Sequence, residues 1–417
     1  MEKPAIYTLT SPLHDPVATG EVSASFLDGI ASHLGYGFDV KGEDFSDYGT
    51  SPLDLIFVRT GGTEGIFKKI FPKLEGHILL LTSGSSNSLA ASMEILSYLR
   101  QQGRTGEIIH GSLAFIAERI SVLMKVSKAR KELSSARFGV IGHPSDWLIS
   151  SAADYDAVRR KLGAELVDIP MQELLDEISA VQSLSEEKIA NALPDRFPYT
   201  KWTKDASAEG SCISVSSLSG ALRIYVALKH IVSRYNLSGF TLRCFDLLGP
   251  VRNTGCLALA MLNSEGIVAG CEGDVPAMLS MAVSRALTGS SGFQSNPSRI
   301  DVQSREILFA HCTVPFDMLS GYTFNTHFES GLGVAVHGEM PLGGVTVFKI
   351  SGDLSRVCLF EGELLDCPYG KSLCRTQLLL HADEDISQML TSPVGNHHIV
   401  ISGWHSALIK AFLEGIC

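Results

Sequence analysis

The chain has 417 residues, 45% of them hydrophobic and 19% charged. That is the composition of a packed globular protein, long enough for two or three domains, and it excludes a disordered one. A formal net charge of −11 disfavours nucleic acid and anionic membranes as partners.

The opening MEKPAIYTLTSPLHDP has no basic segment followed by an apolar one, and no apolar run reaches transmembrane length, so a cytoplasmic location is expected. DLIFVRT (54–60) and HILLLTS (77–83) are apolar runs of strand length, ending in the turns GGTEG and GSSNS. SLAASMEILSYLRQQG follows, with Leu89, Met93, Leu96 and Leu99 at helical spacing and Gly103 as a stop. Strands alternating with helices predict a parallel sheet, whose ligands gather beyond the carboxyl ends of the strands. Both turns lie on that edge. In GSSNS, Ser86 or Asn87 either caps the next helix or contacts a ligand. The turn is neither GxGxxG nor a P-loop.

A basic helical stretch, MKVSKARKELSSAR (124–137), leads into the strand FGVIG and the loop HPSDWLI, which open a second α/β unit. The amphipathic helix ALRIYVALKHIVSRY (221–235) closes it. From residue 236 onward GFTLRCFDLL, GVTVFKIS, RVCLFEG and HHIVISG alternate with glycine-rich turns, around one clear helix, DVPAMLSMAVSRALTG. The expected fold class is thus α/β. Two N-terminal Rossmann-like domains with parallel sheets, 1–136 and 137–235, precede a mainly antiparallel, barrel-like domain, 236–417. Nine cysteines without a CxxC pair indicate neither a disulfide framework nor a structural zinc site.

The third domain gathers acids and histidines on turns. GCEGDVPAMLSM places Glu272 and Asp274 where a helix opens, AHCTVP carries His311, NTHFESGLG carries His327, and GNHHIVISGWH carries His397, His398 and His405. Carboxylates also suit the positive end of a helix dipole, and histidines are often satisfied core groups, so neither type alone makes a site. Convergence of several turn-borne polar groups does. His397 and His398 are neighbours, so they point to opposite faces of a strand.

GCEGDVPAMLSM, FQSNPSRID, AHCT, THFESGLGVAV and the terminal NHH resemble the C-terminal domain of the L-fucose isomerase and L-arabinose isomerase superfamily. SNSLAASMEILSYLR and GHPSDWLI are similar to its two N-terminal domains, so the resemblance covers nearly the whole chain. It implies an aldose–ketose isomerase that uses a divalent metal, commonly manganese, forms homo-oligomers (trimers or hexamers) and acts on a small carbohydrate through an ene-diol. Glu272 matches the glutamate that binds metal and moves the proton. His398 matches the C-terminal metal ligand, leaving His397 on the far face as support. His311 and His327 are implied as substrate contacts, and Ser86 and Asn87 as contacts to sugar hydroxyls from a neighbouring subunit. The second acidic ligand falls on Asn296, which offers a carbonyl oxygen but no charge and no base. Asp274, as a further catalytic acid, and Asp301 are the carboxylates available to offset that loss. The missing base leaves open a lyase or hydrolase step on the same fold, or a carbohydrate-binding member without catalysis.

Overall fold

The first of two units in the computed structural model, Met1–Lys128, is built on five parallel strands. They are β1 (Ala5–Leu9), β2 (Asp39–Gly42), β3 (Asp54–Val58), β4 (Ile78–Leu81) and β5 (Gly106–Ile109), in the order β2-β1-β3-β4-β5. The structure describes residues 2–182, 213–370 and 372–414. Helices α1 (Pro16–Leu34), α2 (Glu64–Ile70), α3 (Ser88–Gln101) and α4 (Leu113–Ser134) follow strands of this sheet, and α4 runs on into the second unit. Successive residues of β3 point to opposite faces. Ile56 and Val58 therefore join the core of Tyr7, Phe67 and Ile95, while Leu55 and Phe57 join that of Ile30, Ile116 and Ile120. Burial on both faces explains why these strands read as continuous apolar runs.

Helix α3 turns a different stripe inward from the expected one. Ala91, Ser92, Ile95 and Leu99 are buried, whereas Met93 is 59% exposed. Small residues on the inner face let the helix lie close to the sheet, and a search for large apolar side chains passes over them.

The second unit, Ala129–Cys417, contains a four-stranded parallel sheet and a closed antiparallel barrel. The sheet has the order β7-β6-β8-β9, with β6 (Arg137–Ile141), β7 (Glu165–Ile169), β8 (Gly239–Leu242) and β9 (Val268–Cys271). Around it lie α5 (Tyr155–Leu162), α6 (Met171–Ala180), α7 (Val215–Tyr235) and α8 (Cys256–Ser264). The parallel sheet thus continues past the expected division at residues 235 and 236, because β8 and β9 pair with β6 and with each other and not with the barrel. GFTL and VAGC are four-residue strands buried throughout, and such strands carry no alternation by which to tell a parallel sheet from a barrel.

The barrel closes as β10-β11-β16-β15-β14-β17. Its strands are β10 (Phe293–Asp301), β11 (Glu306–His311), β14 (Gly343–Ile350), β15 (Val357–Asp366), β16 (Thr376–Ala382) and β17 (His398–Ser402). A hairpin of β12 (Gly321–Asn325) and β13 (Ala335–Glu339) forms a separate two-stranded sheet that packs on β16. Helix α9 (Val275–Thr288) packs on β8 and β9 and also on β14 and β17. Its residues Val275 to Ser284 are all buried, as expected of a helix covered on every side. Two short helices, α10 (Gln388–Thr391) and α11 (Ser406–Leu413), flank β17. Among the described residues no helix is long and apolar enough to cross a membrane.

Close approach of β8 to β9 depends on Gly239, where a Cβ would sit 2.6 Å from both Cβ and the carbonyl oxygen of Val268. Gly239→Ala is expected to cost about 1–3 kcal/mol as the two strands spread. The urea midpoint measures this, and an unchanged midpoint would show that the pair separates freely.

Candidate metal centre

Three loops at the carboxyl ends of the second parallel sheet supply one wall of the site. The loop after β6 carries Trp147, that after β8 carries Phe245, and the residue after β9 is Glu272. Glu272 has φ 63° and Gly273 φ 72°, so two consecutive left-handed residues turn the chain sharply into α9. A left-handed glutamate is uncommon and strained, and it persists where its surroundings hold it. Here the amide of Ser145 donates to the Glu272 carbonyl at 2.9 Å. A Cβ on Gly273 would lie 2.5 Å from the His143 carbonyl oxygen, so glycine is required there. The Trp147 indole N–H donates to Glu272 Oε2 at 2.7 Å. Its ring meets Phe245 edge-on at 4.9 Å, and Phe245 meets His327 in the same manner at 5.5 Å.

The other wall comes from the barrel. His311 ends β11, and His397 immediately precedes β17. His311 Nε2 lies 3.7 Å from Glu272 Oε1, and His397 Nε2 lies 3.5 Å from the same oxygen. One ligand atom from each of these three buried residues falls within 4.8 Å of the others. Both rings are oriented through Nδ1, which meets Thr313 Oγ1 at 3.0 Å in His311 and Asp274 Oδ2 at 2.8 Å in His397. With Nδ1 of His397 donating to the carboxylate, the neutral ring presents a lone pair at Nε2, and that atom is buried without a hydrogen-bond partner. An orphaned imidazole nitrogen facing a carboxylate, with its other nitrogen tied to a carboxylate behind it, is the donor arrangement of a metal-ligating histidine. Glu272, His311 and His397 can therefore hold a metal ion.

Protonation follows the same geometry. Burial opposes charge on His397, but the carboxylates of Asp274 and Glu272 outweigh it and raise its pKa to about 9. Burial likewise opposes ionisation of Glu272, and the two histidines overcome it, holding the carboxyl well below the usual range. His311 is lowered, chiefly by burial. Burial also pushes His327 down to about 4, so its ring, whose Nδ1 meets Ser330 Oγ at 3.1 Å, stays neutral at ordinary pH.

Asp274 is fully buried and accepts four kinds of hydrogen bond. Its oxygens meet the Ala277 amide at 2.8 Å, Lys349 Nζ at 3.0 and 3.1 Å, His397 Nδ1 at 2.8 Å and Ser151 Oγ at 3.4 Å. It is at once the N-cap of α9, the counter-ion of a fully buried lysine and the group that orients His397. The carboxylate expected to offset the missing acid therefore sits behind the histidine.

The placement of the two neighbouring histidines reverses the expectation. They do point to opposite faces, but His397 joins Glu272, while His398 turns away. His398 Nδ1 meets the Asn396 carbonyl at 3.0 Å, and its ring lies 6.0 Å from Phe309, beside a cavity also lined by Phe360 and Met389. Both histidines are buried, so polarity could not tell the inner face from the outer one. Asn296 Oδ1 accepts from the Asn396 side chain at 3.1 Å. Asp301 is exposed and accepts from the Gln303 and Ser304 amides in a turn. His405 opens α11, its Nε2 at 3.0 Å from the Ser402 carbonyl. Ser86 and Asn87 lie in the first unit with φ 52° and 61° at the entry to α3, and neither side chain caps that helix.

Trp147, Phe245 and Lys349 were not singled out from the sequence, and His397 was expected as support behind the site and not as a ligand. Trp147 and Phe245 become candidates once FGVIG and GFTL are recognised as parallel strands, since both residues then lie on a carboxyl edge. A lysine in the apolar run GVTVFKI signals a buried partner.

No family model matches the chain. It is similar to curated sulfoquinovose isomerases. That of Alkalicoccus urumqiensis is 24% identical over 308 residues, which is 71% of this chain and 66% of the relative. That of Priestia aryabhattai is 22% identical over 335 residues, 76% of this chain and 71% of the relative. That of Clostridium sp. strain MSTE9 is 24% identical over 289 residues, 67% of this chain and 62% of the relative. The chain thus matches about two thirds of the length of these relatives, all of them named as sugar isomerases.

Removing Lys349 leaves the Asp274 charge buried and unpaired, so Lys349→Ala is expected to cost about 3–5 kcal/mol in urea unfolding. A loss below about 1 kcal/mol would mean that water reaches Asp274. His398, whose pKa burial lowers to about 4 from 6.5, gives a pH prediction. Between those values the unfolded chain binds a proton that the folded protein refuses, so the contribution to stability is full above about pH 6.5 and falls as pH drops toward 4. Replacing His398 with Gln is expected to flatten the acid side of the stability profile. An unaltered slope would place the loss on other groups.

Proposed function

We propose that this protein is a metal-dependent aldose–ketose isomerase acting on a sugar or modified sugar. The observation that carries the reading is the orphaned Nε2 of His397 beside Glu272 and His311. The sulfoquinovose isomerases to which the chain is similar support the same reaction class. Glu272, His311 and His397 would hold the cation, for which manganese is the expectation. Such an ion would supply Lewis-acid polarisation of the substrate carbonyl, which acidifies the C–H on the adjacent carbon.

The chain's own groups do the rest. Glu272 takes the proton from C2 of the aldose and returns it to C1, and the hydroxyl proton passes from O2 to O1 through the ene-diol. The Trp147 N–H fixes Oε2, so one carboxylate oxygen is anchored while the other faces the histidines. His397 would have to give up its Nε2 proton to hold a cation, so binding would weaken as pH falls. His327, neutral and close to His311, is a hydrogen-bonding group for a sugar hydroxyl. Asn296 supplies neither charge nor base, which leaves proton movement to Glu272.

Purified protein incubated with manganese and desalted is expected to retain close to one equivalent per chain. His397→Ala and His311→Ala should lose it and His398→Ala should keep it; retention by the first two would remove the site. Turnover of sulfoquinovose and of neutral aldoses in deuterium oxide should place deuterium on C1 of the ketose. Glu272→Gln is expected to lower kcat by about a thousandfold or more with the fold intact. Cleavage products in place of a ketose would point to a lyase.

A further inference from the structure

The first unit has its own crevice, and its chemistry is distinct from that of the metal centre. In the order β2-β1-β3-β4-β5, the chain leaves β1 toward β2 on one side and leaves β3 toward β4 on the other. The loops after β1 and β3 therefore diverge, and a parallel sheet opens a binding crevice outside its carboxyl ends at such a switch point. A cavity of about 390 Å³ lies there, lined by His14 and Asp15 after β1, Arg59 after β3, and Ser83, Ser85 and Ser86 after β4.

Arg59 is the cation of this wall. Its side chain makes no hydrogen bond or ion pair among the described residues, and Nε is buried without a partner. A half-buried guanidinium left unpaired is costly unless a ligand completes it. Burial lowers its pKa, and the negative charge of Glu43 offsets that only in part. Three serine hydroxyls face the same space. The side chain of Ser86, held at φ 52°, is not used to cap α3. Asp15 is engaged as the N-cap of α1, accepting from the Val17 amide at 2.9 Å. With Asp15 on the wall and the charge of Glu43 acting on Arg59, the crevice has no surplus positive charge, which favours a singly charged guest over a doubly charged one.

We propose that this crevice binds a singly charged tetrahedral oxyanion group on a small molecule, a sulfonate or a sulfate ester, with the Arg59 guanidinium and the hydroxyls of Ser83, Ser85 and Ser86 as its donors. A planar fork of N–H donors flanked by hydroxyls matches such a group in both geometry and charge. The inference does not rest on the isomerase reading.

The test uses the full chain and trifluoromethanesulfonate as the probe, followed by 19F line broadening. Saturable broadening is expected. Methanesulfonate should displace the probe at concentrations where chloride of equal ionic strength does not, and inorganic phosphate, mainly a dianion at pH 7.5, should compete more weakly. Arg59→Ala and Arg59→Gln should weaken binding roughly tenfold or more, and Ser85→Ala by a few-fold. Glu272→Gln should leave it unchanged, so failure here and failure of the isomerase reading are separable. No saturable broadening, or full binding by folded Arg59→Gln, would overturn the site. Stronger displacement by phosphate than by methanesulfonate would overturn the assignment of a single charge.

Discussion

One buried carboxylate ties the second unit together. Asp274 closes the first turn of α9, neutralises Lys349 on β14 and holds the ring of His397 at the mouth of β17, so a single side chain joins the parallel sheet's last turn to two barrel strands. A buried ion pair is weak evidence for net stability, because desolvation offsets much of the attraction. What it does here is fix geometry. With Nδ1 held by Asp274, the neutral ring of His397 has one tautomer only, and it turns Nε2 toward Glu272.

Around that constraint, the two halves of the candidate metal centre differ in kind. The barrel half is set by ladder pairing, with His398 opposite Ser295 and His311 opposite Thr376. The sheet half is set by a strained turn, in which Glu272 adopts a left-handed conformation and Gly273 lies against the backbone at His143. Strain of that sort costs of order 1–3 kcal/mol, and here the Ser145 amide and the capped α9 hold it in place. The carboxylate is therefore aimed by its backbone, with little left to its rotamer.

Much of this was legible in the sequence, and the misses have physical causes. The α/β class, the barrel, α7, α9 and the gathering of acids and histidines all follow from periodicity and turn chemistry. The opposition of His397 and His398 also follows, since strand parity requires it. Which of them faces Glu272 does not, because β17 is buried on both sides. The extent of the second sheet was hidden for a related reason. In GFTL, VAGC and CLALAMLN every face is covered, so neither an alternating nor a helical stripe survives to mark them. Asp274 was visible as a helix cap, but its bonds to Lys349 and His397 join residues 75 and 123 positions away, beyond any local pattern.

Closure of the barrel also divides the site by timescale. β17 is hydrogen-bonded to β10 on one side and β14 on the other, so amides next to His397 exchange with solvent only when the whole barrel opens. Trp147 sits 52% exposed on an irregular segment, where opening costs far less. Local opening at the indole loop is therefore expected to cost less than any displacement of the histidines.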